Sequence, residues 1–169
     1  MPKLFGEKME KIRIKFPFRD KEPVSQLFGA RPEVYKHYGF AGHEGVDFAV
    51  PVGMPVVASA DGQLWRLGSI NGAYGIRAIV RHQWGSTIGF TIYAHLSKTQ
   101  GTELDHIKAG DVIGYSGNTG NSTGPHLHWS LCLPFENKGY AAPLGVSRRV
   151  GYPTIKLWYF DPFAFVGDA

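Results

Sequence analysis

Glycine and proline interrupt this chain so often that long helices are disfavoured over most of it. The 169 residues include 22 glycines and 11 prolines, and the glycine share is about twice the ~7% that is usual for globular proteins. No segment has convincing 3.6-residue periodicity over the length of an ordinary helix, although residues 102–109 favour one short helical turn. The pattern predicts a mainly β domain with little helix, in which tight turns join short strands.

Strand-like runs follow one another at short intervals. In residues 12–18, apolar side chains alternate with Arg13, Lys15 and Pro17, as expected for a strand with one face on a core. Asp61-Gly62 lies between two apolar runs and predicts a tight hairpin turn. Further strands are predicted at 46–50, 56–60, 63–67, 76–81, 87–94, 112–115, 126–133 and 154–160.

Two short patterns carry most of the chemistry. His43-Glu44-Gly45-Val46-Asp47 and His126-Leu127-His128 together supply the carboxylate of Asp47 and three imidazoles, and His95 lies between them in the sequence. Either pattern alone is typical of packing or surface chemistry. Their conjunction in a glycine-rich β chain favours a divalent metal site with nitrogen and oxygen ligands and a fourth position left to water, as in hydrolytic zinc sites.

The spacing of His43 and Asp47 fits one face of a helix or one face of a strand. Gly45 and Val46 disfavour a helix, so we expect a strand. On that strand Gly45 would lie between the two ligands, and its missing side chain would leave open space for the ion.

His126 and His128 project from the same face of their predicted strand, and they are ~6–7 Å apart along it. Both cannot easily bind one ion while further ligands also reach it. We therefore expect one histidine to bind the metal and the other to handle protons, with His95 as the second proton handler. The remaining histidines lack such partners and are expected to be structural or exposed; they are His37, His82 and His106.

Several ordered motifs resemble those of the lysostaphin-type (LytM-like) zinc metallopeptidases. The resemblance covers roughly residues 25–166. Its motifs are SQLFGAR (25–31), HEGVDF (43–48), GMPVVA (53–58) with ADG (60–62), YAHLS (93–97), GYSGNTG (114–120), STGPHLHW (122–129) and a terminal Asp-Pro (161–162). The family's fold is a compact antiparallel β-sheet domain with a loop-walled groove across the metal.

The resemblance implies a ligand set and an activity. It implies that His43, Asp47 and His128 bind one zinc ion, and that the enzyme cuts peptides of bacterial peptidoglycan with a metal-activated water. It also implies that His95 and His126 act on that water and on the developing charge, without settling which of them is the base.

The resemblance further implies that a tyrosine in the loop before His43 donates a hydrogen bond to the oxyanion that forms during peptide hydrolysis, and the spacing leaves Tyr35 and Tyr38 as alternatives. The chain departs from the family in one feature near the site. Ser130 stands where an acidic residue often follows the aromatic one, so a carboxylate behind the histidine pair is not expected from that position.

The domain organisation follows from these motifs. Residues 1–24 are predicted to be a strand and lead-in packed on the domain, and residues 25–166 the catalytic domain. Residues 134–153 form a long insertion rich in turn residues. Because it follows the histidine pair directly, it either walls a substrate groove or is a tolerated surface insertion.

Charge and cysteine content limit the partners. The net charge of +4 suits an anionic polymer such as a cell wall, but an ordinary basic surface explains it equally well. With no dense run of basic residues, nucleic acid is not expected as a partner. Cys132 is the single cysteine, so no intrachain disulfide is possible, and its apolar neighbours favour a buried residue over a nucleophile.

The expected place of action is the bacterial cell wall, outside the cytoplasm. The sequence shows no membrane span and no export signal, as in a phage-encoded protein or a shortened chain. We expect a monomer. Two alternatives remain at this point: a non-catalytic member of the same fold that binds cell wall or activates a hydrolase, and a zinc enzyme with an unrelated small-molecule substrate.

Overall fold

The structure is a computed structural model that describes residues 11–69, 72–134, 140–141 and 158–167. These residues form short antiparallel strands and very little helix. The strands are β1 (Val24–Gln26), β2 (Val46–Phe48), β3 (Pro55–Val57), β4 (Gly62–Ser69), β5 (Ile76–Trp84), β6 (Thr87–Leu96), β7 (Lys98–Thr99), β8 (His106–Ile107), β9 (Val112–Tyr115), β10 (Leu127–Leu133), β11 (Tyr140–Ala141) and β12 (Trp158–Phe160). The helical segments are α1 (Pro32–Tyr35) and two 3₁₀ turns, Lys36–Tyr38 and Pro162–Phe165.

The strands build two antiparallel sheets. The larger has the order β1-β2-β10-β6-β5-β4-β8, with β12 pairing both β10 and β11, and the smaller has the order β3-β9-β7. The prediction of a mainly β, antiparallel domain with little helix is confirmed. The predicted strand at 112–115 coincides with β9.

Strand β10 lies at the centre of the large sheet, and all seven of its residues are buried. Alternate side chains face two different cores. Leu127, Trp129, Leu131 and Leu133 join the main hydrophobic cluster, whereas Cys132 packs in a smaller one with partners from β4, β5, β6 and β12. The face of β10 that carries Cys132 also carries His128, so the small cluster supports the sheet beside the histidine.

The strand predicted at 12–18 is not formed. Ile12, Ile14 and Phe18 are buried, but Phe16 is 37% exposed and Pro17 is buried, so the alternation breaks off. Ile14 makes only an isolated bridge, with Val166. The backbone groups bind several segments in turn, because Lys15 N donates to Ser59 O and Pro17 O accepts from Val57 N. No single strand lies alongside long enough to form a ladder.

The prediction of a hairpin at Asp61-Gly62 is wrong. The strand before it, β3, pairs with β9, and the strand after it, β4, pairs with β5 and β8. The Asp61 carboxylate instead accepts hydrogen bonds from Lys108 Nζ at 2.8 Å and Ala109 N at 2.9 Å. The turn therefore passes the chain from one sheet to the other.

The helical turn predicted at 102–109 is also wrong, because β8 and two turns occupy this segment. Leu104 has a φ of 77° and its N–H donates to Leu64 O, while Leu64 N donates to Asp105 O. These bonds to β4 replace the helical ones. Most of the insertion at 134–153 lies outside the described residues, so its two interpretations stay open.

Candidate metal centre and active site

Asp47 and His128 lie opposite each other on paired strands. β2 pairs with β10 in a register that matches Asp47 with His128, and β10 pairs on its other side with β6, matching His128 with Ala94. His95 follows Ala94 directly. Three of the predicted site residues, distant in sequence, are therefore brought together by the sheet itself.

His43 reaches the site from outside the sheet. The expectation that His43 and Asp47 share one strand is wrong, because β2 begins only at Val46 and the residues before it form bends. Hydrogen bonds hold His43 to the preceding loop, with its N–H donating to Ala30 O at 2.9 Å and its carbonyl accepting from Gly29 N at 2.8 Å. The bend turns the His43 imidazole back over the end of β2.

The structural reason for glycine at position 45 differs from the open space expected for an ion. A Cβ at this position would lie 2.6 Å from Trp129 O, 2.8 Å from His128 Cε1 and 2.8 Å from Ser130 Oγ. The space beside Gly45 is therefore filled by β10 and by the His128 ring. Glycine is required because the neighbouring strand approaches so closely.

Three candidate metal-ligand atoms converge, one each from His43, Asp47 and His128. His43 Nε2 lies 3.0 Å from His128 Nδ1 and 3.2 Å from Asp47 Oδ1, and the Asp47 and His128 atoms are 2.9 Å apart. Three electron-rich atoms at these distances repel unless a cation or protons lie among them. A tetrahedral ion with bonds of ~2.0–2.1 Å separates its ligand atoms by about 3.3 Å, so the triangle fits such an ion.

The outer nitrogens of both imidazoles are held by the protein. His43 Nδ1 lies 3.2 Å from Leu27 O, and because a carbonyl only accepts, this nitrogen carries the proton and leaves Nε2 unprotonated. His128 Nε2 lies 2.6 Å from Ser130 Oγ. Both rings are nearly fully buried. The partners fix the ring orientations, as the ligands of a metal site require.

The ionisation state of Asp47 favours binding of a cation at the centre. Burial alone would raise the pKa of Asp47, but when protons and not a cation lie among the three atoms, hydrogen bonds from His128 and His43 outweigh burial and hold that pKa well below the ordinary carboxyl value. Asp47 is therefore ionised at neutral pH. Among the described residues, this is the one cluster of histidine, cysteine and acidic side chains with metal-site geometry.

His95 and His126 form a second pair beside the centre, with ring centroids 4.5 Å apart. His95 Nδ1 lies 2.7 Å from Thr119 O, and His126 Nδ1 lies 2.8 Å from Gly124 O. Both rings therefore hold their Nδ1 proton against a carbonyl and keep Nε2 available. The His95 ring centroid is 6.0 Å from that of His128, which places the pair next to the candidate ligands.

The backbone of His95 adopts an unusual conformation. Its φ of 60° lies in the left-handed region that non-glycine residues rarely adopt, and its N–H donates to Tyr74 O at 2.9 Å. Strain of this kind is concentrated at functional sites. Burial lowers the pKa of His95 to about 4, so the imidazole is neutral at neutral pH.

The two candidate tyrosines occupy different positions. The Tyr35 ring packs against His43 with centroids 5.1 Å apart, and its hydroxyl oxygen accepts a hydrogen bond of 2.6 Å from Gln26 Nε2. Burial raises the pKa of Tyr35 to about 12. Tyr38 is 58% exposed, and its hydroxyl oxygen lies 3.5 Å from Asn121 Nδ2. Tyr35 is the tyrosine that contacts a candidate ligand.

Sequence reasoning assigned no role to Glu44 or Tyr74. Glu44 is buried between the two candidate ligands of its motif, and its Oε1 accepts a 2.7 Å hydrogen bond from Tyr74 and lies 3.8 Å from His128 Nε2. The carboxylate not expected from position 130 is thus present from another segment. Glu44 lies within the motif that supplies His43 and Asp47, so its position near the site could be predicted from the sequence. Tyr74 lies in a loop whose sequence does not indicate a role at the site.

All of these side chains line one groove of about 300 Å³. That volume lies at the lower end of the range usual for ligand-binding clefts. The groove is lined by Gln26, Arg31, Val34, Tyr35, Tyr38, Phe40, His43, Glu44, Asp47, Ala73, Tyr74, His95, Asn121, Ser122, Thr123, His126 and His128.

Comparison with known proteins decides the family. The sequence pattern of peptidase family M23 matches residues 41–140, more than half of the chain. The chain belongs to peptidase family M23. This family assignment agrees with the lysostaphin-type resemblance, and the chain has the metallopeptidase fold.

Two curated relatives of this M23 domain are endopeptidases by name. The chain is 43% identical over 145 residues to the DD-carboxypeptidase/endopeptidase Mpg of Neisseria meningitidis serogroup B, covering 86% of this chain and 31% of the relative. It is 36% identical over 129 residues to the peptidoglycan DD-endopeptidase ShyA of Vibrio cholerae, covering 76% and 29%. The chain thus spans about a third of the length of these relatives.

The fold comparison agrees. The structure superimposes on the antimicrobial peptidase lysostaphin from Staphylococcus simulans with a TM-score of 0.61 and 27% identity, covering 85% of this chain and 48% of lysostaphin. Among the described residues of this M23 domain, no helix has the length and apolar character to cross a membrane.

Proposed function

We propose that this chain is a zinc-dependent endopeptidase that hydrolyses peptide bonds of bacterial cell-wall peptidoglycan, in its stem or cross-bridge peptides. The observation that carries the proposal is the convergence of His43, Asp47 and His128 at distances of 2.9–3.2 Å, beside a second imidazole pair in one groove. The substrate class is supported by the name of the relative ShyA, a peptidoglycan DD-endopeptidase.

The ligand types support zinc. Two imidazole nitrogens and one carboxylate oxygen are a common set at catalytic zinc sites, where the fourth position is open to water. When bound, zinc supplies Lewis acidity, lowering the pKa of a water ligand and polarising the scissile carbonyl. His43, Asp47 and His128 are the residues we propose to hold it.

His95 and His126 are proposed to move protons. Each keeps Nε2 available because its Nδ1 is held by a backbone carbonyl. A neutral imidazole at Nε2 accepts the proton of the attacking water, and the imidazolium so formed passes a proton to the leaving amine. To donate a hydrogen bond to the charge that develops on the scissile carbonyl oxygen, the second imidazole must carry a proton on Nε2 as well, as an imidazolium.

Tyr35 is the proposed additional donor to that oxygen. Its hydroxyl oxygen accepts from Gln26, so its own hydrogen remains free to donate. With a pKa of about 12 the hydroxyl keeps its proton at neutral pH. Tyr38, the alternative, lies farther out on an exposed turn and is not favoured.

The proposed place of action is the cell wall, in an extracellular or periplasmic location. All five expected ligand and proton-handling positions are occupied by suitable side chains, so a non-catalytic role in wall binding is not favoured.

Digestion of purified peptidoglycan tests the proposal. Zinc-loaded protein is incubated with peptidoglycan of both cross-bridged and directly cross-linked types, new amino groups are quantified, and the fragments are identified by mass spectrometry. We expect new amino termini, released by the wild type and not by His126→Ala or by protein held in a chelator. Intact substrates with zinc-loaded wild-type protein would contradict the proposal, and the fragment masses name the bond.

A further inference from the structure

Glu44 is a buried acid in a position where burial needs an explanation. Only 5% of its surface is exposed, although it lies between His43 and Asp47 at the edge of the groove. Burying a carboxylate is costly unless charges or hydrogen bonds compensate for the lost water. The contacts of the Glu44 carboxylate must therefore compensate for its lost hydration.

One side of the carboxylate is held by a chain of hydroxyls. Tyr74 donates to Glu44 Oε1 at 2.7 Å, and the hydroxyl oxygens of Tyr74 and Tyr159 lie 3.2 Å apart. Tyr159 belongs to the small hydrophobic cluster beneath β10. These two tyrosine hydroxyls link Glu44 to the buried part of the sheet, so the fold sets the position of the Glu44 carboxylate.

The other side of the carboxylate faces the back of a candidate metal ligand. Glu44 Oε1 lies 3.8 Å from His128 Nε2, and both side chains are more than nine-tenths buried. Glu44 Oε2 is buried and has no hydrogen-bonding partner among the described residues. A negative charge this close to Nε2, in a buried setting, favours a proton on that nitrogen and leaves Nδ1 unprotonated toward Asp47 and His43.

We propose that Glu44 is a positioning residue whose charge polarises His128 for the metal, and that Tyr74 and Tyr159 hold Glu44 in place. The inference rests on the proposed metal site, because it assigns a carboxylate to the outer side of one of its ligands. Ser130 Oγ lies within hydrogen-bond distance of His128 Nε2, at 2.6 Å, but a hydroxyl carries no charge. Glu44 supplies the charge that the serine lacks.

Zinc affinity tests the inference without reference to activity. Glu44→Gln keeps the shape and an acceptor for Tyr74 but removes the charge. Glu33→Gln is the matched control, since the Glu33 side chain is 69% exposed on the neighbouring turn. The zinc dissociation constant is measured by competition with a chromophoric chelator, and unfolding of the metal-free proteins is measured in parallel.

We expect Glu44→Gln to weaken zinc binding by about 10-fold, the lower end of the range for hydrogen-bonded outer partners, because Glu44 acts on His128 through its charge at 3.8 Å and not through a hydrogen bond. The Glu33→Gln affinity and the unfolding midpoint of metal-free Glu44→Gln should match those of the wild type. Tyr74→Phe should weaken zinc binding in the same direction and less strongly, because the charge remains.

Two results would overturn the inference. One is an affinity of Glu44→Gln within twofold of the wild type. The other is a loss of affinity that follows a matching loss of stability in the metal-free protein, which would make Glu44 merely structural. Wild-type protein that binds no zinc would instead refute the proposed function itself, so the two failures are distinguishable.

Discussion

Asp47 on β2 and His128 on β10 form a cross-strand pair in which Asp47 Oδ1 lies 2.9 Å from His128 Nδ1. The two residues are 81 positions apart in the sequence, and only the pairing of their strands brings them into contact. His43 joins the pair from a bend outside the sheet. The candidate metal centre is thus built on rigid backbone at two of its three corners.

His128→Ala should abolish stoichiometric zinc binding. The wild type should retain about one zinc ion per chain after dialysis, because three converging ligands hold a catalytic ion tightly. Removal of one of them leaves two ligands and an open cavity. Metal content is measured by atomic emission, and His37→Ala, at an exposed position, is the control. Equal zinc content in wild type and His128→Ala would rule out the proposed ligand set.

His95→Ala and His126→Ala should lose activity while they retain zinc. Loss of a proton-handling residue typically lowers the rate by about 10²–10⁴-fold, and neither residue belongs to the triangle of donor atoms. Release of amino groups from peptidoglycan and zinc content are measured on the same preparations. A variant that loses zinc and activity together would assign its histidine to the metal instead.

Tyr35→Phe and Tyr38→Phe form a matched pair that separates the two candidate tyrosines. Tyr35→Phe should lower kcat by about 10²-fold with little change in KM, since a donor to the developing oxyanion acts mainly in the transition state. Tyr38→Phe should stay close to the wild type, because its hydroxyl lies on an exposed turn. The opposite ranking in steady-state kinetics would move the role to Tyr38.

The parts of the site that sequence could predict are those encoded over short distances. The bounds of β9, and those of β10 to within one residue, depend on alternation and glycine placement, which are visible in a few residues. β10 begins at Leu127 and not at the predicted His126, which makes only an isolated bridge with Gly117. The hairpin at Asp61-Gly62 failed because its turn signal was local, whereas the choice of partner strand depended on β9 and β5.

Contacts between distant segments were beyond local reasoning. The open space expected at Gly45 is filled by β10, a neighbour that the motif itself does not show. Glu44 meets His128 and Tyr74 for the same reason, since three separate segments supply the three side chains. The residue types were visible in the sequence, but their pairing depends on sheet register.

Gly45→Ala should destabilise the protein by about 1–3 kcal/mol, the usual cost of overpacking a buried position. The added Cβ would lie 2.6 Å from the backbone oxygen of Trp129 and 2.8 Å from the His128 ring. Gly124→Ala is the control, because a Cβ there meets no atom within 4 Å. Urea unfolding measures both variants. Equal stability of the two would show that β10 shifts without cost.

His82 should make stability depend on pH in a defined window. Its ring is buried, with Nδ1 donating to Asp61 O at 2.8 Å and Nε2 lying 2.7 Å from Thr91 Oγ1. Burial lowers the pKa of His82 from 6.5 to about 4 in the folded protein. Between these values the unfolded chain binds a proton that the folded protein does not, so the free energy of unfolding falls as the pH decreases from 6.5 to about 4.

The full loss attributable to His82 is about 3 kcal/mol, and it is complete below pH 4. His82→Gln should be less stable than the wild type at pH 7.5, and the difference between them should shrink as the pH falls toward 4.5. Urea unfolding is measured at several pH values in the presence of a chelator, so that metal binding does not contribute. His106→Gln, at an exposed position, should parallel the wild type throughout. A stability difference between His82→Gln and the wild type that stays constant across this range would show that the buried ring is not held neutral by the fold.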